Sequence, residues 1–338
     1  MIKSSKTRFF ILIGSFIIYI GLLVSLPLLG STVYKFGIYL SSPKESLDAY
    51  VLLKMRVPRV ILAYCAGAIL ALGGMVFQSM FRNPLATPFT LGISSGCSFG
   101  AAIYLVLLAN FGFKTVAGIS PISVFAFLGG LAASMFIFSL TRIKKTFHTD
   151  YMLLAGIAVT LFFSSMVLII QYVSNFHQTF LIFRWLIGGL ESVSRLTLMK
   201  LIPFTIGVSA VIFLYSTELD IMLTGDETAS SKGIDVVKLK LFMFILVSFM
   251  ISCIVSICGP IAFIDMIIPN ICRMILGPRH KMLAVASFLA GGAFLALCDA
   301  LARTLISPSE LPVGIITALL GGIFFIWLLL RHAKNYSS

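Results

Sequence analysis

Apolar residues in this chain come in long unbroken runs, and no other feature restricts its fold so severely. A backbone that crosses a bilayer must satisfy its N–H and C=O groups internally, and a helix needs about 20 apolar residues to cross. Runs near that length occupy residues 9–29, 60–80, 91–108, 122–140, 152–173, 196–215, 239–257, 283–301 and 313–330. A shorter run at 264–276 is interrupted by Pro269. Counting it, the pattern predicts an all-α polytopic membrane protein with about ten transmembrane helices. Composition agrees: 59% of residues are hydrophobic, 11% are charged, and the mean hydropathy is +1.07.

A net charge of +13 would suit a nucleic-acid binder if its basic residues were clustered on a soluble face. They instead flank the apolar runs, which points to membrane lipid and to no nucleic acid. Lys3, Lys6, Arg8, Arg142, Lys144, Lys145, Lys232, Lys238, Lys240, Arg331 and Lys334 fall on one side of a ten-span arrangement. The positive-inside rule makes that side cytoplasmic, with both termini there. Lys35, Lys44, Lys54, Arg56, Arg59 and Arg303 fall outside. The first run has a basic start, but it is near 20 residues long and lacks a small-x-small cleavage site, so it reads as a retained helix.

Little in the chain suggests catalysis. It has no G-x-x-x-x-G-K-[ST] to cradle ATP phosphates, no H-E-x-x-H and no nucleophile beside a base. Its six cysteines lie in or beside apolar runs without a C-x-x-C pair, and His148, His177, His280 and His332 lack ligand spacing, so neither metal nor cofactor is expected.

One polar segment, 218–240, lies between two spans. Thr224 reads as an N-cap and Glu227 as its capping-box partner, with Gly233 ending a helix of about two turns. The second span carries Gly67, Gly73, Gly74 and Gln78, small residues for close helix approach and an amide able to bond across helices. It follows an external connection, 30–54, too polar to insert. Prolines follow the second span (Pro84, Pro88) and the seventh (Pro260, Pro269), which fits an inverted repeat.

Several motifs occur in an order that resembles one family. They are Arg56-Val57-Pro58-Arg59, Arg82-Asn83-Pro84-Leu85-Ala86-Thr87-Pro88, Leu91-Gly92-Ile93-Ser94-Ser95-Gly96, Trp185-Leu186-Ile187-Gly188-Gly189, Gly259-Pro260-Ile261, Asp299-Ala300-Leu301-Ala302-Arg303 and Glu310-Leu311-Pro312-Val313-Gly314. Together they resemble the FecCD type of permease, to which BtuC belongs, from ATP-binding cassette (ABC) importers of ferric siderophores, haem and cobalamin. The resemblance implies one transmembrane permease domain over 1–338 with the type II importer architecture. It also implies a homodimer, two cytoplasmic ATPase subunits and an extracytoplasmic binding protein, in the bacterial cytoplasmic membrane.

The resemblance assigns roles as well. Segment 219–238 becomes a coupling element seated on the ATPase, through Gly225, Asp226, Glu227, Ala229 and Gly233. Arg56, Arg59 and Arg303 become docking residues for the binding protein. Thr149, Asp150 and Tyr151 line the inner mouth of a pathway, with Trp185 and Gly188 near the outer one. A ferric siderophore is the first choice of cargo, followed by haem and cobalamin.

Several positions depart from the family pattern: Gly277-Pro278-Arg279-His280-Lys281 lacks the acid usual before the histidine, and Lys232 stands where leucine is frequent. Ala262 and Asp265 stand where glycines are usual, which argues against tight packing there, and Asn270 replaces a histidine. Asp265 reads as a cap for the short helix that follows, ahead of a substrate role. The alternative function is an ion-coupled secondary transporter using Asp265, Asp299 and Glu310.

Overall fold

The structure is a computed structural model. It describes residues 5–336 apart from 31–33, 35, 42, 43, 45, 116, 117, 143–148, 191, 192, 307 and 308. For 5–9, Leu40, Asn110, Arg142, Thr149, Asp150, Leu329 and 331–336 it describes the backbone alone. Lys3, Lys6, Arg8, Lys35, Arg142, Lys144, Lys145, His148, Arg331, His332 and Lys334, which entered the charge and ligand readings, therefore lie outside the described side chains.

Fourteen α-helices follow one another among the described residues. They are α1 (Ser5–Ser25), α2 (Leu47–Val51), α3 (Val57–Met80), α4 (Ile93–Ile103), α5 (Pro121–Arg142), α6 (Thr149–Val173) and α7 (Phe176–Leu186), then α8 (Arg195–Leu214), α9 (Ser216–Met222), α10 (Asp226–Ser231), α11 (Val236–Cys258), α12 (Ile264–Leu276), α13 (His280–Thr304) and α14 (Val313–Tyr336). Among the described residues, seven helices are long and apolar enough to cross a membrane, with shorter apolar helices at Ile93–Leu108 and Val313–Leu328. Each of the ten sequence runs corresponds to a helix. Two further helices, α7 and α9, were not expected, and the connection before α3 is itself partly helical from Leu47.

Helix α3 is the axis of the fold. With α2 and an intervening π turn, Leu52–Arg56, it forms one helical stretch, Leu47–Met80, whose most apolar window is 94% buried. That window is 11% buried in α1 and 22% in α6. Pro58 would break an ordinary helix interior because it has no N–H to donate. Here the π turn widens the ring just before it, and the Val57 N–H donates to Leu52 O. Glycines let neighbouring helices approach: a Cβ on Gly67 would lie 2.1 Å from Gly291 O of α13, and one on Gly74 would lie 1.7 Å from Asp265 O of α12.

The contact with α12 has a specific chemical cause. Pro269 lies inside α12 and cannot donate to the carbonyl four residues back, that of Asp265. Gln78 Nε2 takes the place of the missing N–H, donating to Asp265 O at 3.1 Å, while Gln78 Oε1 accepts from Arg273 at 3.1 Å. Glycine lost at Asp265 therefore does not loosen this contact, because Gly74 on the opposing helix supplies the space. The Asp265 carboxyl is buried and faced by the Thr87 hydroxyl and the N–H groups of Phe89 and Met266. Asn270 donates to Pro84 O at 3.3 Å and to Met266 O at 2.9 Å. The departures at Asp265 and Asn270 thus bind the first proline turn to the second. Replacing Gln78 by Ala should cost about 1–3 kcal/mol, the penalty for stranding a buried carbonyl, measured as a loss of thermal stability in detergent.

Candidate functional site

Two ends of the bundle carry almost all of the described charged side chains. At one end the start of α3 meets the end of α13 and the segment before α14. Arg59 Nη2 lies 2.9 Å from Asp299 Oδ1, and Arg59 Nη1 lies 2.5 Å from Glu310 Oε2. Arg303 Nε lies 3.0 Å from the other Asp299 oxygen, and that carboxylate is fully buried. A buried carboxylate shared by two guanidinium groups is stable only as a set, because each ion has surrendered its water.

Arg56 and Arg303 have a second task. Arg303 donates to Leu29 O at 3.0 Å and to Leu26 O at 3.5 Å, and Arg56 donates to Pro27 O at 3.5 Å. These carbonyls close the 3-10 turn Leu26–Leu28 that ends α1, where carbonyls lack helical partners and cations are favoured. The Arg56 guanidinium also lies 4.6 Å from the centroid of the Tyr34 ring. Relative exposure is 9% for Arg56 and 2% for Arg303, so neither offers a free fork to a docking protein. This narrows the expected docking set, because the first helix's own carbonyls account for both residues. Of the three arginines, Arg59 alone reaches the rim, with Glu310 half exposed beside it.

Arg59 and Glu310 open onto a cleft of about 820 Å³ whose wall includes Arg184, Trp185, Gly188 and Ser256. The structure thus brings the arginine motif and the Trp185–Gly189 motif to one cavity. Glycines make the joint: a Cβ on Gly188 would lie 2.2 Å from Pro260 O, and one on Gly314 would lie 1.8 Å from Ile187 O. Gly188 also has φ +72°, open to glycine at little cost. Helix α6, followed by α7, runs toward this cleft from the opposite end. Tyr151 in its first turn is exposed, whereas Thr149 and Asp150 are described by their backbone alone.

The opposite end holds the polar segment, divided into α9 and α10. Gly225, not Thr224, occupies the N-cap of α10, at φ 124° and ψ 152°, and no side chain caps it. The Thr224 hydroxyl turns back to donate to Ile221 O at 2.7 Å, so the expected capping box does not form. Gly233, at φ +83°, does end the helix: its N–H donates to Ser230 O at 2.9 Å and that of Ile234 to Ala229 O at 3.1 Å. Asp226 is gripped by Arg82 and by Lys240, the latter at 2.7 Å, and Ala229 is fully buried. Glu227, Thr228, Ser230, Ser231 and Lys232 point outward. The five coupling candidates therefore separate: Asp226 and Ala229 fasten the helix, the glycines frame it, and Glu227 faces away from the chain.

The FecCD transport family matches residues 11–331. The chain belongs to that family. The hemin transport system permease HmuU of Yersinia pestis is 35% identical over 288 residues, covering 85% of each chain. The cobalamin import system permease BtuC of Halobacterium salinarum is 34% identical over 275 residues, 81% of this chain and 72% of that one. A solved inward-facing ABC transporter assigned to the metal-chelate type superposes with a TM-score of 0.82 at 27% identity, covering 95% of this chain and 99% of that one. The FecCD chain is accordingly an all-α multi-pass membrane protein with the BtuC-like fold, and it is the permease component of an ABC transporter rather than an enzyme.

Asp299 gives the clearest energetic test of the charged end. Asp299→Ala should cost ~3–5 kcal/mol by leaving Arg303 buried without its anion. Adding Arg303→Met should recover part of that loss, and a double-mutant cycle on detergent-solubilised protein would measure the coupling.

Proposed function

We propose that this FecCD chain forms, as a homodimer, the membrane pathway of an ATP-driven importer for an iron chelate, a ferric siderophore first and haem or cobalamin next. Two ATPase subunits bind on the cytoplasmic side and a substrate-binding protein on the other, in a bacterial cytoplasmic membrane. The α10 end carries Arg82, Lys232, Lys238, Lys240, Arg279 and Lys281, and the order of the spans in the sequence assigns Lys3, Lys6, Arg8, Arg142, Lys144, Lys145, Arg331 and Lys334 to the same side, an excess of basic residues that supports a cytoplasmic assignment for it. Because α1 ends and α14 begins beside Arg303 and Glu310, residues 5 and 336 lie toward the α10 end, so both described termini are cytoplasmic on this reading.

The observation that carries the coupling role is the outward polar face of α10 on a base fixed by Asp226 and Ala229. A short helix held this way transmits displacement instead of absorbing it. The binding protein docks at the other end, on the rim formed by Arg59 and Glu310, with Arg56 and Arg303 keeping that rim in place. A second copy meets the lightly buried face of α6, where Leu154, Ile157, Leu161, Leu168 and Tyr172 recur at helical spacing and Ser164 and Ser165 are exposed midway. The pathway runs along this face from Thr149–Tyr151 to Trp185 and Gly188.

An ion-driven mechanism would need free acids within the membrane. Asp299 is shared by Arg59 and Arg303, Glu310 is paired with Arg59, and Asp265 is enclosed by donors. Asp299 and Glu310 are therefore not available as carriers.

Gly225→Val and Gly233→Val test the coupling role. Nothing lies within 4 Å of a Cβ on Gly233, and only the Thr228 hydroxyl, at 3.7 Å, faces one on Gly225, so both changes act through backbone strain. In reconstituted complexes both should keep ATP hydrolysis and lose ATP-driven uptake; normal uptake would refute the role. Cysteines placed at Leu154, Leu161, Ser165 and Leu168 should react with water-borne thiol reagents in a nucleotide-dependent way. Uniform silence of this face, with labelling on another helix, would move the pathway elsewhere.

A further inference from the structure

Beside α10 the structure holds a polar chain that joins three helices. His280, the first residue of α13, is fully buried. Its Nδ1 lies 2.6 Å from Asp220 Oδ1 of α9, and its backbone N–H donates to the same oxygen at 2.8 Å. Its Nε2 lies 2.5 Å from the hydroxyl of Ser79, in the last turn of α3. The order of Ser79, His280 and Asp220 is that of a hydrolase triad, but the chemistry is excluded. Ser79 and His280 are both at 0% exposure, so no substrate carbonyl can reach the hydroxyl. Ser79 Oγ also lies within bonding distance of Met75 O, at 2.8 Å.

What the chain does instead follows from what it connects. Asp220 and Asp226 stand on either side of the break between α9 and α10. Asp226 is held by Arg82, just beyond the end of α3, and the Arg82 Nε–H donates to Met222 O at 3.2 Å. The unit formed by α9 and α10 is therefore fastened to the end of α3 at two places. One is the Arg82 clasp, half exposed to water; the other runs from the fully buried Ser79 and His280 to the partly exposed Asp220, and it alone also includes α13. Imidazole suits the position because it is rigid and presents two polar nitrogens on opposite sides, so Asp220 and Ser79 are held at a fixed separation.

We propose that His280 is a positioning residue for transport: it makes α9, α10, α3 and α13 move as one body, so that displacement of α10 reaches the cleft at the far end. This rests on the coupling role proposed above for α10. The far end is reached because α3 and α13 both run from this relay to the Arg59, Asp299 and Arg303 cluster. The buried Ser79–His280 contact resists shear between α3 and α13, since sliding would strand two polar groups with no water to receive them, and the paired contacts of His280 with the partly exposed Asp220 tie α9 to it.

The test separates the relay from the coupling helix. Asn in place of His280 retains a donor near the Nδ1 position and Gln one near the Nε2 position, so each keeps one half of the relay. Ser79→Ala removes the other end at small steric cost. In the assembled permease and ATPase complex, Phe183→Cys on the cleft wall reports the far end through its rate of thiol labelling, with ATP and vanadate as the only added ligands. The native cysteines are buried, apart from the partly buried Cys253, and give a low background. Trapping with ATP and vanadate should change the labelling rate by about fivefold or more in the parent, and by less than about twofold in His280→Asn, His280→Gln and Ser79→Ala, with vanadate trapping retained. A merely structural role would lower the yield of assembled complex and leave the response per complex unchanged, which would overturn the proposal. So would the absence of any nucleotide response in the parent. Gly233→Val identifies which reading has failed. If it abolishes the response while the His280 variants keep it, the relay alone is lost; if it also keeps the response, the coupling role falls too.

Discussion

A carbonyl stranded by a proline, and the amide that meets it, set the geometry on which the rest of this permease depends. Within a bilayer no water is available to Asp265 O once Pro269 has removed its helical donor. Gln78 reaches it only because Gly74 allows the backbones of α3 and α12 almost to touch. That contact fixes the depth of α12 against α3. It also sets the segment 259–263, which is not helical, along protein rather than lipid. Asp265 and Asn270 then bind the turn after α3 to the same place.

With α3 so fixed, the two polar ends are consequences of its two ends. The start of α3 delivers Arg59 to Asp299 and Glu310, and its final turn delivers Ser79 to His280. Helices α3 and α13 therefore run antiparallel, pinned at both extremities and pressed together between them at Gly67 and Gly291. The peripheral helices α1 and α6 contribute far less to this core. Their apolar outer faces are left for lipid.

Much of this was legible in the sequence, for reasons that can be stated residue by residue. Length and hydropathy marked the spans because bilayer thickness acts on every crossing helix alike. Gly67, Gly74 and Gln78 were readable as packing residues because small side chains and a lone amide have few other uses in an apolar helix. What escaped were features whose partners lie far away in the chain. Thr224 and Glu227 satisfy a local capping pattern, yet Asp226 has Arg82 and Lys240 as partners, and Gly225 takes a backbone conformation open to glycine alone. Arg56 and Arg303 looked like surplus charge on the wrong side of the membrane, and no local signal tied them to the carbonyls of Leu26, Pro27 and Leu29. His280, passed over for lack of ligand spacing, meets partners 60 and 201 residues away.

The helical stretch that contains α3 has one further property, which is mechanical. Leu47–Met80 comprises 34 residues and is about 50 Å long at 1.5 Å per residue, comparable to the full thickness of a membrane with its headgroups. A rod of that length pivoting at one end through about 5° carries its other end through roughly 4 Å, more than a hydrogen bond can span. Gly67 and Gly74 permit intimate contact but also resist sliding, since the backbones of Gly291 and Asp265 stand where a displaced atom would go. The shaft therefore tilts with its partners more readily than it slips past them, and the small angle is enough to open or shut a gap the width of a water molecule at the far rim.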